Sequence, residues 1–138
     1  MLNRLIIIVG LLLFLVIGCY PVSHIIVGEK RAPINPSDVK VYDDFPQNYK
    51  SIAIIEASSD FALNDPSFDF TQQKKTDKAL SRLKNEAALL GANGIVIENL
   101  STKIKQNLNI YEDDEGKIKT SSQNEKQKEV KAIAIFVE

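Results

Sequence analysis

Fourteen residues, Leu5 to Gly18, form an almost purely aliphatic run that closes on the only cysteine in the chain, Cys19. A helix crossing the hydrocarbon core of a bilayer needs roughly 20 such residues. The run is therefore read as the apolar segment of a cleaved export signal, with Arg4 as its basic start. The rival reading is an uncleaved anchor continuing toward Val27. Pro21, which breaks a helix, and the polar His24 oppose it. Removal of residues 1–18 leaves 120 of the 138 residues, an amount that suits one domain. With a single cysteine no intramolecular disulfide can form, so the domain must stand on its core alone.

The sequence Val16-Ile17-Gly18-Cys19 resembles a bacterial lipoprotein signal: small residues, then the cysteine that receives lipid and becomes the new N-terminus. The resemblance implies cleavage between Gly18 and Cys19 and a membrane anchor on Cys19. Acyl chains contribute about 0.8 kcal/mol per buried CH₂, so several on one terminus hold stably. Tyr20 follows, where enteric-type sorting places an Asp on cargo kept at the inner membrane. The implied location is the cell envelope, in the outer membrane facing the periplasm.

The remaining chain carries 16 basic and 18 acidic side chains. A near-neutral, mixed surface argues against nucleic acid as a partner and against a polybasic membrane patch. One His, no Trp and no further Cys leave little material for nucleophiles, acid–base groups or metal ligands.

Residues 19–37 are expected to be the lipidated N-terminus and tether, and 38–138 the folded domain. Within the tether, Ser23 to Val27 is β-branched enough to be a first strand, while Gly28, Pro33 and Pro36 mark an irregular connector. Val39 to Tyr42 alternates and suits an edge strand. Ile52-Ala53-Ile54-Ile55 is continuous and suits a central strand buried on both faces. Phe61, Phe68 and Phe70 punctuate a polar loop and are expected to fold back onto the core. Thr76, Leu80, Leu83, Ala87 and Leu90 fall at helical spacing, predicting a helix over about 71–90. Asp69 or Thr71 can cap it, Lys74, Lys75, Lys78, Arg82 and Lys84 line its polar side, and Gly91 stops it.

Gly94 to Ile97 begins another buried strand. Ile104, Leu108 and Ile110 then alternate with Lys103, Lys105, Asn107 and Asn109, a pattern expected of a strand with one wet side. Asp113-Asp114-Glu115-Gly116 signals a turn, and Val130 to Val137 is apolar on both faces. Folding about Asp114–Glu115 places residue i opposite roughly 229 − i, which brings Ile95–Ile97 against Ile133, apolar on apolar. The expected fold is α+β: one small mixed sheet of about four to five strands, covered by one amphipathic helix, with a long C-terminal β-hairpin. The relative direction of the two strands flanking the helix is left open.

Three stretches carry a family resemblance: Arg31 to Pro36 with Val39 to Tyr42, then Ile52 to Ser58, then Leu83 to Val96. Together with Val130 to Ala134 they resemble a group of uncharacterised small proteobacterial lipoproteins. More distantly, the helix, Gly91-Ala92-Asn93 and strand element is similar to the Rcs-phosphorelay sensor lipoprotein and to putative heavy-metal-binding domain families. The sensor family has disulfide-forming cysteines, which this domain lacks.

The candidate sites are few. His24 stands without a neighbouring ligand and is read as a solvated side chain. Placing Gly116 at the EF-hand glycine would put Tyr111 and Ser122 at ligand positions, which fails the calcium pattern. Gly91 to Gly94 has the shape of a nucleic-acid clamp but follows a helix C-terminus, whose partial charge repels phosphate. Tyr42, Phe45 and Tyr49 cluster before a strand and are the candidate contact for an envelope protein partner, against the plainer reading of strand-edge packing. No catalytic residue, metal site or cofactor is assigned. The expected function is a lipid-anchored, non-enzymatic envelope protein acting through protein–protein contacts. The alternative is a periplasmic binder of a small ligand or metal.

Overall fold

The computed structural model describes residues 21–62, 70–112, 114 and 116–138. Cys19, Gly18, Phe68, the cap candidate Asp69 and, in the expected hairpin turn, Asp113 and Glu115 lie outside the described residues. Five strands form one mixed sheet: β1 (Val22–Ile26), β2 (Lys40–Tyr42), β3 (Tyr49–Ser58), β4 (Gly94–Glu112) and β5 (Ile118–Val137). One helix, α1 (Gln72–Leu89), joins β3 to β4. The spatial order is β1-β3-β5-β4-β2. All neighbours are antiparallel except β2 and β4, which run parallel.

The strands flanking the helix therefore point the same way without touching, because β5 enters antiparallel between them. The central strand is β5, not the Ile52–Ile55 segment. In β3 burial alternates from Ala53 onward, after a register shift between Ser51 and Ala53. That position is a bulge, which bends the strand and tightens its twist.

The hairpin pairs Gly94 with Ile135 and Ile97 with Ala132, so partner numbers sum to 229 at its base. A second bulge between Ile97 and Asn99 raises the sum by one out to Glu112–Ile118. Apolar burial on both strands sets the base register, since a one-residue slip would expose every core side chain. Beyond Leu100 the hairpin leaves the sheet as a two-stranded ribbon, and both its faces meet solvent. The wet-on-one-side expectation fails there because no described layer covers the ribbon.

Helix α1 covers one face. Thr71 caps it, accepting a bond from the Lys74 N–H at 3.2 Å. Gly91, at φ +77°, ends it in a conformation that L-residues avoid. The core joins Ala79, Leu83, Ala87, Ala88 and Leu90 to Ala53, Ile55 and Ala57 of β3, Ile95 of β4, and Val130, Ala132 and Ala134 of β5. Small residues on both surfaces let the helix lie close to the sheet.

Lys78 and Arg82 are buried, in contrast to the expected polar side. Arg82 Nη1 donates to the carbonyls of Ser58 and Asp60 at 2.6 and 2.7 Å, where β3 ends and the backbone needs donors. An apolar-only stripe cannot register this cation.

The connector after β1 is held along its length. The N–H groups of Arg31 and Ile34 donate to Leu90 and Ala88 carbonyls at the helix C-terminus. Within the stretch expected as a tether, Val22–Ile26 pairs with β3 as β1, and the residues after it lie outside the sheet. Phe61 and Phe70 correct the expectation of burial: both are exposed.

Candidate functional site

The sheet has two poles. At one, β3 and β4 begin and β5 ends; the short β2 starts there too, parallel to β4, and after Tyr42 the Asp43–Pro46 turn brings the chain back toward Tyr49. Buried Val39 and the Lys40 N–H bond to Asn93 O hold β2 beside β4. Tyr42 then lays its ring against Gly94: a Cβ built there would stand 2.7 Å from Tyr42 Cε2 and 3.1 Å from Ile135 Cγ1. The Asp44 carboxylate accepts from the Phe45 N–H at 3.0 Å and orients the turn. The Phe45 ring stacks on Tyr49, with centroids 4.9 Å apart and planes at 24°. Both rings are well exposed, while Tyr42 is half-buried. The structure thus pairs two of the three predicted contact aromatics and makes the third a packing residue.

Asn93 braces the same pole. Its side chain donates to Val137 O at 2.9 Å and accepts from Val137 N at 2.7 Å, copying a strand pair. Arg31 sits 3.7 Å above the Phe136 ring, a cation–π contact.

At the other pole, on the face away from α1, charged side chains meet across strands. Glu129, opposite Ser58, bonds Lys103; Asp60 meets Lys105 at 2.7 Å; Lys131 meets Glu98 at 3.0 Å. Glu56 reaches Glu129, and the hydrogen bond between the two carboxyls, with partial burial and the Glu129 charge, pushes Glu56 above the usual carboxylate range. For Glu129 burial works upward, but bonds from Lys103 and Glu56 outweigh it and hold the group below that range. The bond to Glu129 raises Lys103. The two carboxyls influence each other's titration, Glu56 shifted up and Glu129 down.

A shallow cavity of about 310 Å³ opens beside the pair, lined in part by Pro21, Val22, Glu56, Asp60 and Glu129. Among the described residues no group of three or more His, Cys, Asp or Glu is placed to hold a metal. The arrangement is a cross-strand charge lattice. Sequence reasoning missed it because its partners lie far apart in the chain and only the β3–β5 and β4–β5 registers unite them. His24 is not free: Nδ1 meets Glu86 Oε1 at 2.7 Å on the helix face, tying the edge strand to α1.

No protein-family model matches the chain, and no curated protein matches it. Among solved structures, the chain is similar to a Francisella virulence factor, FvfA, crystallised in an orthorhombic form. The TM-score is 0.48 at 17% identity, covering 82% of this chain and 94% of that one.

Proposed function

We propose that the chain is a lipid-anchored, non-enzymatic bacterial envelope protein that acts through protein–protein contacts, held at the outer membrane and facing the periplasm. One observation supports this reading above the rest. Cys19 lies three residues before Val22, where β1 starts at one pole, whereas the Phe45–Tyr49 stack lies at the other. Three residues reach about 10 Å, so a lipid on Cys19 would hold the first pole at the leaflet. The nine steps of β3 from Ser58 to Tyr49 span about 30 Å. The aromatic pair is thereby carried about 30 Å away from the anchor point along the sheet, where another envelope protein can meet it. Stacked, exposed aromatics are what partner contacts use.

The test is mass spectrometry of the N-terminal peptide and membrane fractionation, on the native chain and on Cys19→Ser. A photo-crosslinker is placed at Phe45 in the same cells. Acylated Cys19, a membrane pool lost in Cys19→Ser, and a discrete crosslinked protein weakened by Tyr49→Ala are expected. An unmodified N-terminus retaining residues 1–18 refutes the anchor. An acylated chain giving no discrete product at Phe45, while a crosslinker at exposed Lys74 gives one, refutes the aromatic contact.

A further inference from the structure

We infer that the two-stranded ribbon beyond Leu100 lies on the lipid surface with one face down, as a second contact between domain and bilayer. The inference rests on the lipid anchor proposed above and adds where the fold touches the membrane.

The direction of the ribbon carries the argument. Val22 pairs with Ala57, Ala57 with Val130, and Val130 with Leu100, so the first residue of β1 stands level with the ribbon base. The Ser58 N–H donates to Pro21 O, so the chain before Val22 departs on the ribbon's side. From Ser101 to Glu112 the ribbon extends about 40 Å past that level. A lipid on Cys19 reaches only about 10 Å from Val22. A ribbon four times longer than the tether cannot stand upright beneath the domain. It has to lie along the leaflet.

Its two faces differ in the way such a position demands. Residues opposite each other in a ladder share a face. One face carries Leu100, Ile104, Leu108 and Ile110, with Ile118 across from Glu112. Exposure of these side chains rises from 50% at Leu100 through 69% at Leu108 to 77% at Ile118. This face continues the one that α1 covers, because Leu100 and Val130 share it with the core. From Leu100 to Ile110, and from Thr120 to Val130 opposite, it has no acidic side chain; its charges are Lys126 and Lys128. The other face takes Lys103, Lys105, Glu125 and Glu129.

An isolated two-stranded ribbon is marginal in water. Its base is braced by Lys75 Nζ on Lys126 O at 2.6 Å and by the Ser59 N–H on Lys128 O at 2.8 Å.

Neighbouring groups agree. Phe70, 88% exposed, precedes the cap of α1 at this pole, and Phe61 follows Asp60 there. The first turn of α1 holds Lys74 and Lys75 and no acid, so the positive end of the helix dipole is reinforced rather than neutralised. Apolar and aromatic side chains edged by lysines suit an interface with anionic headgroups.

The experiment uses the full acylated chain in vesicles of phosphatidylethanolamine with a quarter phosphatidylglycerol. An environment-sensitive thiol dye is placed at Ile104→Cys or, as control at the far pole, at Gln47→Cys; an acylated Cys19 does not react. Nitroxide lipids are expected to quench the dye at 104 strongly and at 47 hardly at all, with the 104 dye shielded from iodide. Adding Leu108→Glu and Ile110→Glu, both at exposed positions, should cut the lipid quenching roughly fivefold. With Cys19 acylated, a dye at 104 open to iodide and untouched by nitroxide lipid overturns the inference alone. A dye shielded from iodide yet unquenched by lipid means a protein or a second copy covers the face, and overturns it too. An unacylated Cys19 overturns the anchor, and the inference with it.

Discussion

Gly91 and Gly116 share a backbone conformation, with φ of +77° and +73°, but not their surroundings. Gly91→Ala should cost about 1–2 kcal/mol for the left-handed backbone alone. Its new Cβ would stand 2.6 Å from Ala32 O and from Arg31 Cβ, and 2.7 Å from Arg31 C. Residues 31–32 would have to withdraw. That breaks the Arg31 N–H bond to Leu90 O, worth about 0.5–1.5 kcal/mol. It also loosens Arg31 from the Phe136 ring, about 0.5–1 kcal/mol. Together the loss is about 2–4.5 kcal/mol. At Gly116 the nearest atom is Glu112 Oε1 at 3.5 Å, so only the backbone cost applies, at a tip whose local opening hides part of it. Urea unfolding followed by circular dichroism should show a large midpoint drop for Gly91→Ala with unchanged slope, and a small one for Gly116→Ala. Equal shifts in the two variants would refute the claim that residues 31–32 are packed against the helix terminus.

Two further outcomes follow from the core and the carboxyl pair. Leu83→Ala, at a fully buried position, should lower stability by about 2–5 kcal/mol in thermal melts, and a loss under about 1 kcal/mol would mean that α1 does not seal the sheet. Because Glu56 titrates above the usual range, its ionised form costs stability at neutral pH, so Glu56→Gln should match or exceed the native chain at pH 7 by a fraction of a kcal/mol. The gap should close as pH falls through the raised pKa, where native Glu56 takes up its proton; a gap that widens on acidification would contradict the upward shift of Glu56. Glu129, held low, behaves oppositely: its contribution is present above the ordinary carboxylate value and fades as pH drops through its own lowered one.

The hairpin register was readable because apolar segments of equal length flank a turn, and only one alignment buries both. The helix was readable from its stripe, from Thr71 and from Gly91. What escaped has a common cause. Strand order depends on pairings between distant residues, so the insertion of β5 between β3 and β4 left no local trace. Arg82 and Lys78 looked solvated because periodicity counts apolar residues, whereas both are buried, and Arg82 answers backbone carbonyls left at the end of β3. Phe61 and Phe70 were assigned to a core that has no place for them. The stack of Phe45 on Tyr49 was half legible: sequence proximity grouped the rings, but only the Asp44 turn sets which two meet.

Both bulges fall on the neighbours of β5, while β5 itself runs without a register break for 20 residues, from Ile118 to Val137. Neither glycine nor proline interrupts it. At about 3.3 Å per residue this is a strut of some 65 Å, and it ends beside Tyr49. The tip of the outer hairpin, the centre of the sheet and the strand end beside the stacked rings are therefore all carried by one element, so the two poles are joined by a single strand.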